Sequence, residues 1–184
     1  PYTTLFRSLM IAMKPFRVIQ ISDTHLSRDK SYCVPNFEAV QGIVAAERPD
    51  LVVNSGDIAL DGAGNEDDLA FARACHDALQ APLRTIPGNH DLGDNPWSGT
   101  VAHPITEARR ERYLRHFGDD FWQVDAGHWL LVGLNAQLFG SGLAAEEAQW
   151  AFLAAAAATA DRRPVALFVH KPLFHEQRNE TEVN

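Results

Sequence analysis

The sequence predicts an α/β domain, and three features carry that prediction. Apolar runs of strand length recur at residues 16–21, 51–54, 82–86 and 165–169, each followed by turn-forming residues. Segments of helical spacing lie between them, the pattern expected of crossover connections in a parallel sheet. Two further runs, 121–125 and 129–135, flank Ala126-Gly127-His128 and add one antiparallel hairpin.

Each element has a local cause. After the first run, Phe37, Val40, Ile43 and Val44 recur on one helical face, and Pro49-Asp50 stops that helix before the second run. Asn65 followed by Glu66, Asp67 and Asp68 is a helix start: a capping side chain, then acids at the positive end of the helix dipole. That helix is expected to reach about Leu79. Residues 91–104 contain Gly93, Pro96 and Gly99 and read as a long loop, a length often tied to function in compact domains. Thr106 caps a charged helix to Phe117, in which Glu111 and Arg115 are an i,i+4 pair. Residues 144–159 form an alanine-rich helix on propensity alone, with Glu146 and Glu147 in its first turn and Trp150 and Leu153 on one face. There are no internal repeats and there is no clear domain boundary.

Composition narrows the function classes. The chain of 184 residues is 46% hydrophobic and 22% charged, enough for one domain with a real core. Its net charge of −8 argues against sequence-independent binding of a nucleic-acid polymer, which needs clustered Lys and Arg. Two cysteines, Cys33 and Cys75, are too few for a disulfide framework and read as a reduced, cytoplasmic setting. No stretch has the length and apolarity of a membrane span.

The chemistry sits where the strands end. The first run leads into Asp23-Thr24-His25, the second into Gly56-Asp57, the third into Gly88-Asn89-His90-Asp91 and the fourth into His170-Lys171-Pro172. Ligands of open α/β sheets bind outside the carboxyl ends of the strands, so side chains distant in sequence can meet there. Singly, Asp-x-His, Gly-Asp and His-Lys-Pro are ordinary turn chemistry. The tetrapeptide Gly-Asn-His-Asp is rarer, on the order of one in a thousand for a chain of this size. Together they offer Asp, His, Asp, Asn, His and His, oxygen and imidazole donors without thiolate. That set suits a hard-to-borderline divalent metal site better than a structural zinc clamp.

These motifs, in this order, resemble the calcineurin-like metallophosphoesterases over about residues 16–173. Ser22-Asp23-Thr24-His25-Leu26 and the stretch from Gly142-Leu143 to Gln149-Trp150 resemble the bacterial class III cyclic-nucleotide phosphodiesterase branch, although repair nucleases share the first piece. Many members of that branch have His-His-Pro where this chain has His170-Lys171-Pro172. The resemblance implies a two-sheet sandwich flanked by helices and two divalent metal ions (Mn, Fe or Zn). It implies Asp23 and His25 on the first ion, Asp57 bridging both, and Asn89 and His170 on the second. His90 would be the non-ligand histidine near the leaving group, with Asp91 as its orienting partner. The implied reaction is attack of a metal-bridging hydroxide on a small phosphodiester. A nuclease or phosphomonoesterase is the alternative, and a non-catalytic metal-binding domain a further one, disfavoured by His90.

The family's final Gly-His-x-His is absent, which leads to the expectation that the domain is truncated at its C-terminus. Residues 1–12 read as an adapter-derived scar plus upstream residues, because Pro1–Ser8 resembles the in-frame translation of a sequencing adapter, and residues 13–184 as the metallophosphoesterase domain lacking its last part. On that reading the 184 residues alone would bind metal poorly and turn over little. His76 and His116 are expected at the surface, His128 in the hairpin turn, His103 as a candidate border of the substrate, Asp61 as a solvated loop acid and Cys33 as an apolar filler. The loop 92–104 is expected to wall the substrate pocket, with Trp97 stacking on a base or aryl group.

Overall fold

The structure, a computed structural model, describes residues 14–95 and 103–172. Among the described residues the strands and α-helices run in the order β1 (Val18–Ile21), α1 (Val34–Glu47), β2 (Leu51–Asn54), α2 (Glu66–Asp77), β3 (Leu83–Thr85), α3 (Asn89–Leu92), α4 (Glu107–Phe117), β4 (Trp122–Ala126), β5 (Trp129–Gly133), α5 (Ala144–Ala160) and β6 (Val165–Phe168). The expected strands and helices are present, with ends within about two residues of those expected. α3 was expected as the start of a loop; four residues are too few to show a helical period.

The strands form two sheets. One is parallel in the order β1-β2-β3, with Val18 opposite Leu51 and Val52 opposite Leu83. The other has the order β4-β5-β6, antiparallel between β4 and β5 and parallel between β5 and β6. Their facing sides meet through Leu51, Val53 and Ile86 against Trp122 and Leu131. Alternate residues point outward, so Val52 packs with Phe37, Val44, Leu69 and Ala72 of α1 and α2, while Leu130 and Val132 pack with Ala156 and Ala160 of α5. This is the sandwich flanked by helices.

Caps and polar contacts fix the layers. Asn65 Oδ1 accepts from the Asp67 amide at 3.1 Å and Thr106 Oγ1 from the Arg109 amide at 3.2 Å, as their sequence positions predict. Arg115 turns from the expected Glu111 to Glu66, donating to its carboxylate at 3.0 Å. At the sheet interface Trp122 Nε1 donates to the Thr85 carbonyl at 2.7 Å, and Tyr113 donates its hydroxyl to Thr85 Oγ1 at 2.8 Å. Asp120, 1% exposed, accepts two 2.8 Å bonds from Arg110 and another from Asn135 Nδ2, tying α4 to the end of β5.

Candidate metal centre

Three loops leave the carboxyl ends of β1, β2 and β3 and lock together through backbone and side chain. The Asp23 amide donates to the Gly56 carbonyl at 2.9 Å, His25 to Asp57 at 3.0 Å and Leu26 to Ile58 at 2.9 Å, so the first loop runs alongside the second. The third loop is tied in by Asp91, which is fully buried. Its carboxylate accepts from the amides of Ile58 at 2.9 Å, Ala59 at 2.8 Å and Gly88 at 2.8 Å. Burial pushes its pKa up to about 6, against the pull of the Ala59, Gly88 and Ile58 amides. The carboxylate of Asp91 is thus committed to backbone. The group that orients His90 is the Leu60 carbonyl, which accepts from His90 Nδ1 at 2.6 Å.

Asp23, His25 and His170 gather around Asp57. Its Oδ1 lies 3.3 Å from His170 Nε2 and its Oδ2 lies 3.8 Å from His25 Nε2, so the two carboxylate oxygens face different partners. His25 Nε2 is also 3.9 Å from Asp23 Oδ1, and the His25 and His90 rings meet edge to face at 4.7 Å. Two donor groups, His25-Asp57-His90 and Asp23-Asp57-His170, each have atoms within 4.8 Å of one another and share Asp57; the first includes His90, which the resemblance gives as a non-ligand, and pairs it with His25 in place of Asp23. Burial alone would raise the Asp57 pKa; the hydrogen bond and charge of His170 and the His90 amide outweigh it and hold the carboxyl below its usual range. For His170 burial pulls the pKa down, and the bond to Asp57 more than reverses it. Asn89, at the start of α3, lines a cavity of about 500 Å³ together with Lys30, Tyr32, Leu60, Asp61, His90 and His103.

Backbone and ring chemistry show that this donor set fits divalent ions. Among the described residues six non-glycines have positive φ. Arg48 and Asp161 are left-handed helix C-caps, with Arg162 next in chain, whereas Asp23, His25 and Asp57 adopt φ of 56°, 41° and 52° at the strand ends. All three lie at one edge of the sheet, and backbone outliers of this kind cluster at ligand-binding sites. The His25 ring buries Nδ1 without a hydrogen-bond partner. His170 presents its Nδ1 to the Ser55 carbonyl at 3.1 Å, the bond that orients a ligating imidazole and leaves Nε2 for the ion. Its ring occupies a slot made by two glycines: a Cβ at Gly56 would lie 2.5 Å from His170 Nδ1, and one at Gly88 would lie 2.8 Å from His170 Nε2.

Several expectations change. His76, expected at the surface, is 2% exposed and packs against Phe37, because it shares the inner helical face with Leu69 and Ala72. That spacing of three and four was its sequence signal. His103 does border the cavity beside His90, and Asp61 stands with it, their side chains 3.9 Å apart. Lys171 donates to Asn95 Oδ1 at 2.7 Å and pairs with Asp94, so β6 is strapped to the loop that follows α3. Trp97 lies outside the described residues.

Comparison with known proteins bears on this geometry. The family model described as calcineurin-like phosphoesterase matches residues 16–182. The chain is 32% identical over 162 residues to a glycerophosphodiester phosphodiesterase of Enterobacter lignolyticus, covering 83% of this chain and 55% of that one. It is 28% identical over 187 residues to a zebrafish protein named serine/threonine-protein phosphatase CPPED1 (87% and 58% covered). It is 26% identical over 132 residues to a 3′,5′-cyclic adenosine monophosphate phosphodiesterase of Pseudomonas aeruginosa (67% and 43% covered). The chain therefore spans little more than half the length of the first two relatives. The crystal structure of a dimetal phosphatase from Danio rerio shares its fold, with a TM-score of 0.56 and 18% identity over 88% of this chain and 71% of that one.

Proposed function

The chain belongs to the calcineurin-like phosphoesterase family, and from that premise we propose that it carries most of a two-ion centre that hydrolyses small phosphodiesters of the cyclic-nucleotide kind. The observation that carries the reading is Asp57, whose two oxygens face separate donors. Following the resemblance, we assign Asp23 and His25 to the first ion, Asn89 and His170 to the second and Asp57 to both, whereas the donor groups within 4.8 Å pair His25 with His90 and Asp23 with His170. Bound there, two divalent ions would neutralise charge on the phosphoryl oxygens and lower the pKa of a water.

The remaining work falls to the chain itself. The Leu60 carbonyl holds the proton of His90 on Nδ1, which leaves Nε2 to face the substrate side and to hand a proton to the leaving oxygen when the ring is charged. Asp91 acts at one remove, by fixing the loop that carries Asn89 and His90. The cavity beside His90 receives the leaving group. A small diester suits it, because an acidic chain offers no track for a long polyanion. Relatives named as glycerophosphodiester and cyclic-nucleotide phosphodiesterases support the same class. We place residues 13–184 in one metallophosphoesterase domain and, from two unpaired cysteines, in the cytoplasm. Among the described residues no helix is long and apolar enough to cross a membrane.

The test is a side-by-side assay of the whole protein with Mn²⁺ on 2′,3′- and 3′,5′-cyclic nucleotides, bis-aryl phosphates, a phosphomonoester and duplex DNA. The small diesters should be turned over fastest. Faster cleavage of DNA or of the monoester would replace this reading with the nuclease or the phosphatase.

A further inference from the structure

Behind the candidate metal centre lies a buried chain of polar groups that the phosphoester chemistry does not use. His76 on α2 places Nδ1 2.8 Å from the Ala72 carbonyl, which can only accept, so Nδ1 carries the proton and Nε2 is an acceptor. Nε2 lies 3.0 Å from Asn54 Nδ2, at the end of β2. The Asn54 amide is therefore turned with its NH2 toward His76 and its oxygen toward Gly56, whose amide donates to Oδ1 at 3.2 Å. The second hydrogen of the same NH2 points to Thr24 Oγ1 at 3.3 Å, and Thr24 in turn donates to the Ile58 carbonyl at 3.0 Å. Phe37 and Phe117 enclose the imidazole at 4.6 and 6.0 Å, and Asn54 is 0% exposed, so these groups depend on one another for their bonds.

We propose that His76 is a positioning residue for the centre. Its tautomer, held by the Ala72 carbonyl, sets the orientation of the Asn54 amide, and Asn54 holds Gly56 and Thr24. Those two residues flank Asp23, His25 and Asp57. All three have left-handed backbone, a conformation that persists only when its surroundings over-determine it. A helix on the outer face of the sheet thereby helps to fix the aim of side chains on the strand-end loops. The consequence for ion binding rests on the two-ion reading; the hold on Gly56 does not.

The test compares the chain with His76→Phe, which keeps an aromatic ring but removes the acceptor, and His76→Gln, which returns an acceptor near the position of Nε2. Nitrogen NMR of the unsubstituted protein at pH 7.5 should find His76 neutral with its proton on Nδ1. In His76→Phe, exchange of the Gly56 amide should quicken beyond any change at Val52 and Val53, and Mn²⁺ affinity by calorimetry should fall about 10- to 100-fold, as for loss of an outer partner of a metal site. His76→Gln should restore both. A merely structural histidine would lower stability in both variants without this selective change at Gly56 or its rescue. The proposal is overturned by an Nε2–H tautomer or an imidazolium, by unchanged Gly56 exchange in a folded His76→Phe, or by failure of Gln to protect Gly56. If His76→Phe does not fold, the tautomer and the Gln variant still decide. Should the unsubstituted chain bind no Mn²⁺, Gly56 exchange still judges the relay, and that result counts against the metal centre alone.

Discussion

Gly88 shows how tightly single residues constrain the site. A Cβ there would come within 2.1 Å of Asp57 Oδ1 and 2.4 Å of the Asp57 amide nitrogen. Its φ of −102° is open to any residue, so the restriction is one of space and not of backbone conformation. A backbone neighbour cannot swing aside as a side-chain tip can. Gly88→Ala should therefore cost about 1–3 kcal/mol, the usual penalty of overpacking, and should displace Asp57 from its shared position. Urea unfolding beside Mn²⁺ titration checks this, and an alanine variant that binds Mn²⁺ as before would show that Asp57 has more freedom than the structure gives it. Sequence alone reveals Gly88 as part of a rare tetrapeptide but not as a wall of the His170 slot, since that contact joins residues far apart in the chain. The assignment of Asp91 is a similar case: its neighbour in sequence is His90, while its carboxylate turns to the amides of Ile58, Ala59 and Gly88.

Among the elements, α2 was the easiest to read and also the one that concealed most. Asn65 and the three acids after it locate its start, and the structure confirms the cap. Its inner face is written in the spacing of Leu69, Ala72 and His76, yet a histidine there looks polar in composition and reads as a surface residue. Burial lowers the His76 pKa to about 4. The unfolded chain, with a value near 6.5, binds a proton that the folded protein refuses. Stability from this group is therefore complete above about pH 6.5 and is lost as pH falls toward 4, on the order of 3 kcal/mol between pH 7.5 and 4. Thermal or urea unfolding across that range should show the loss, and His76→Gln should remove that share of the slope. An unchanged slope in the variant would mean that His76 is not held neutral. By contrast α3 was illegible, because one turn of helix leaves no periodicity to find.

For the whole molecule, the strand runs and their endings could be read directly, but the pairing of six strands into two sheets came only through the resemblance. Periodicity tells which face of β2 is apolar; it does not say that Leu51 and Val53 meet Trp122 and Leu131 across the sandwich. That pairing brings His170 of the second sheet to Asp57 of the first, so the site exists only once the two layers stack. The central claim is that one carboxylate there serves two ions while His90 serves none. Metal content per chain by elemental analysis, in the whole protein and in Asp57→Asn and His90→Ala, tests it most directly. The unsubstituted protein should hold two ions per chain and Asp57→Asn should lose them with its activity. His90→Ala should keep both ions while turnover falls on the order of 10²-fold or more. Two ions retained in Asp57→Asn, or ions lost from His90→Ala, would contradict the account.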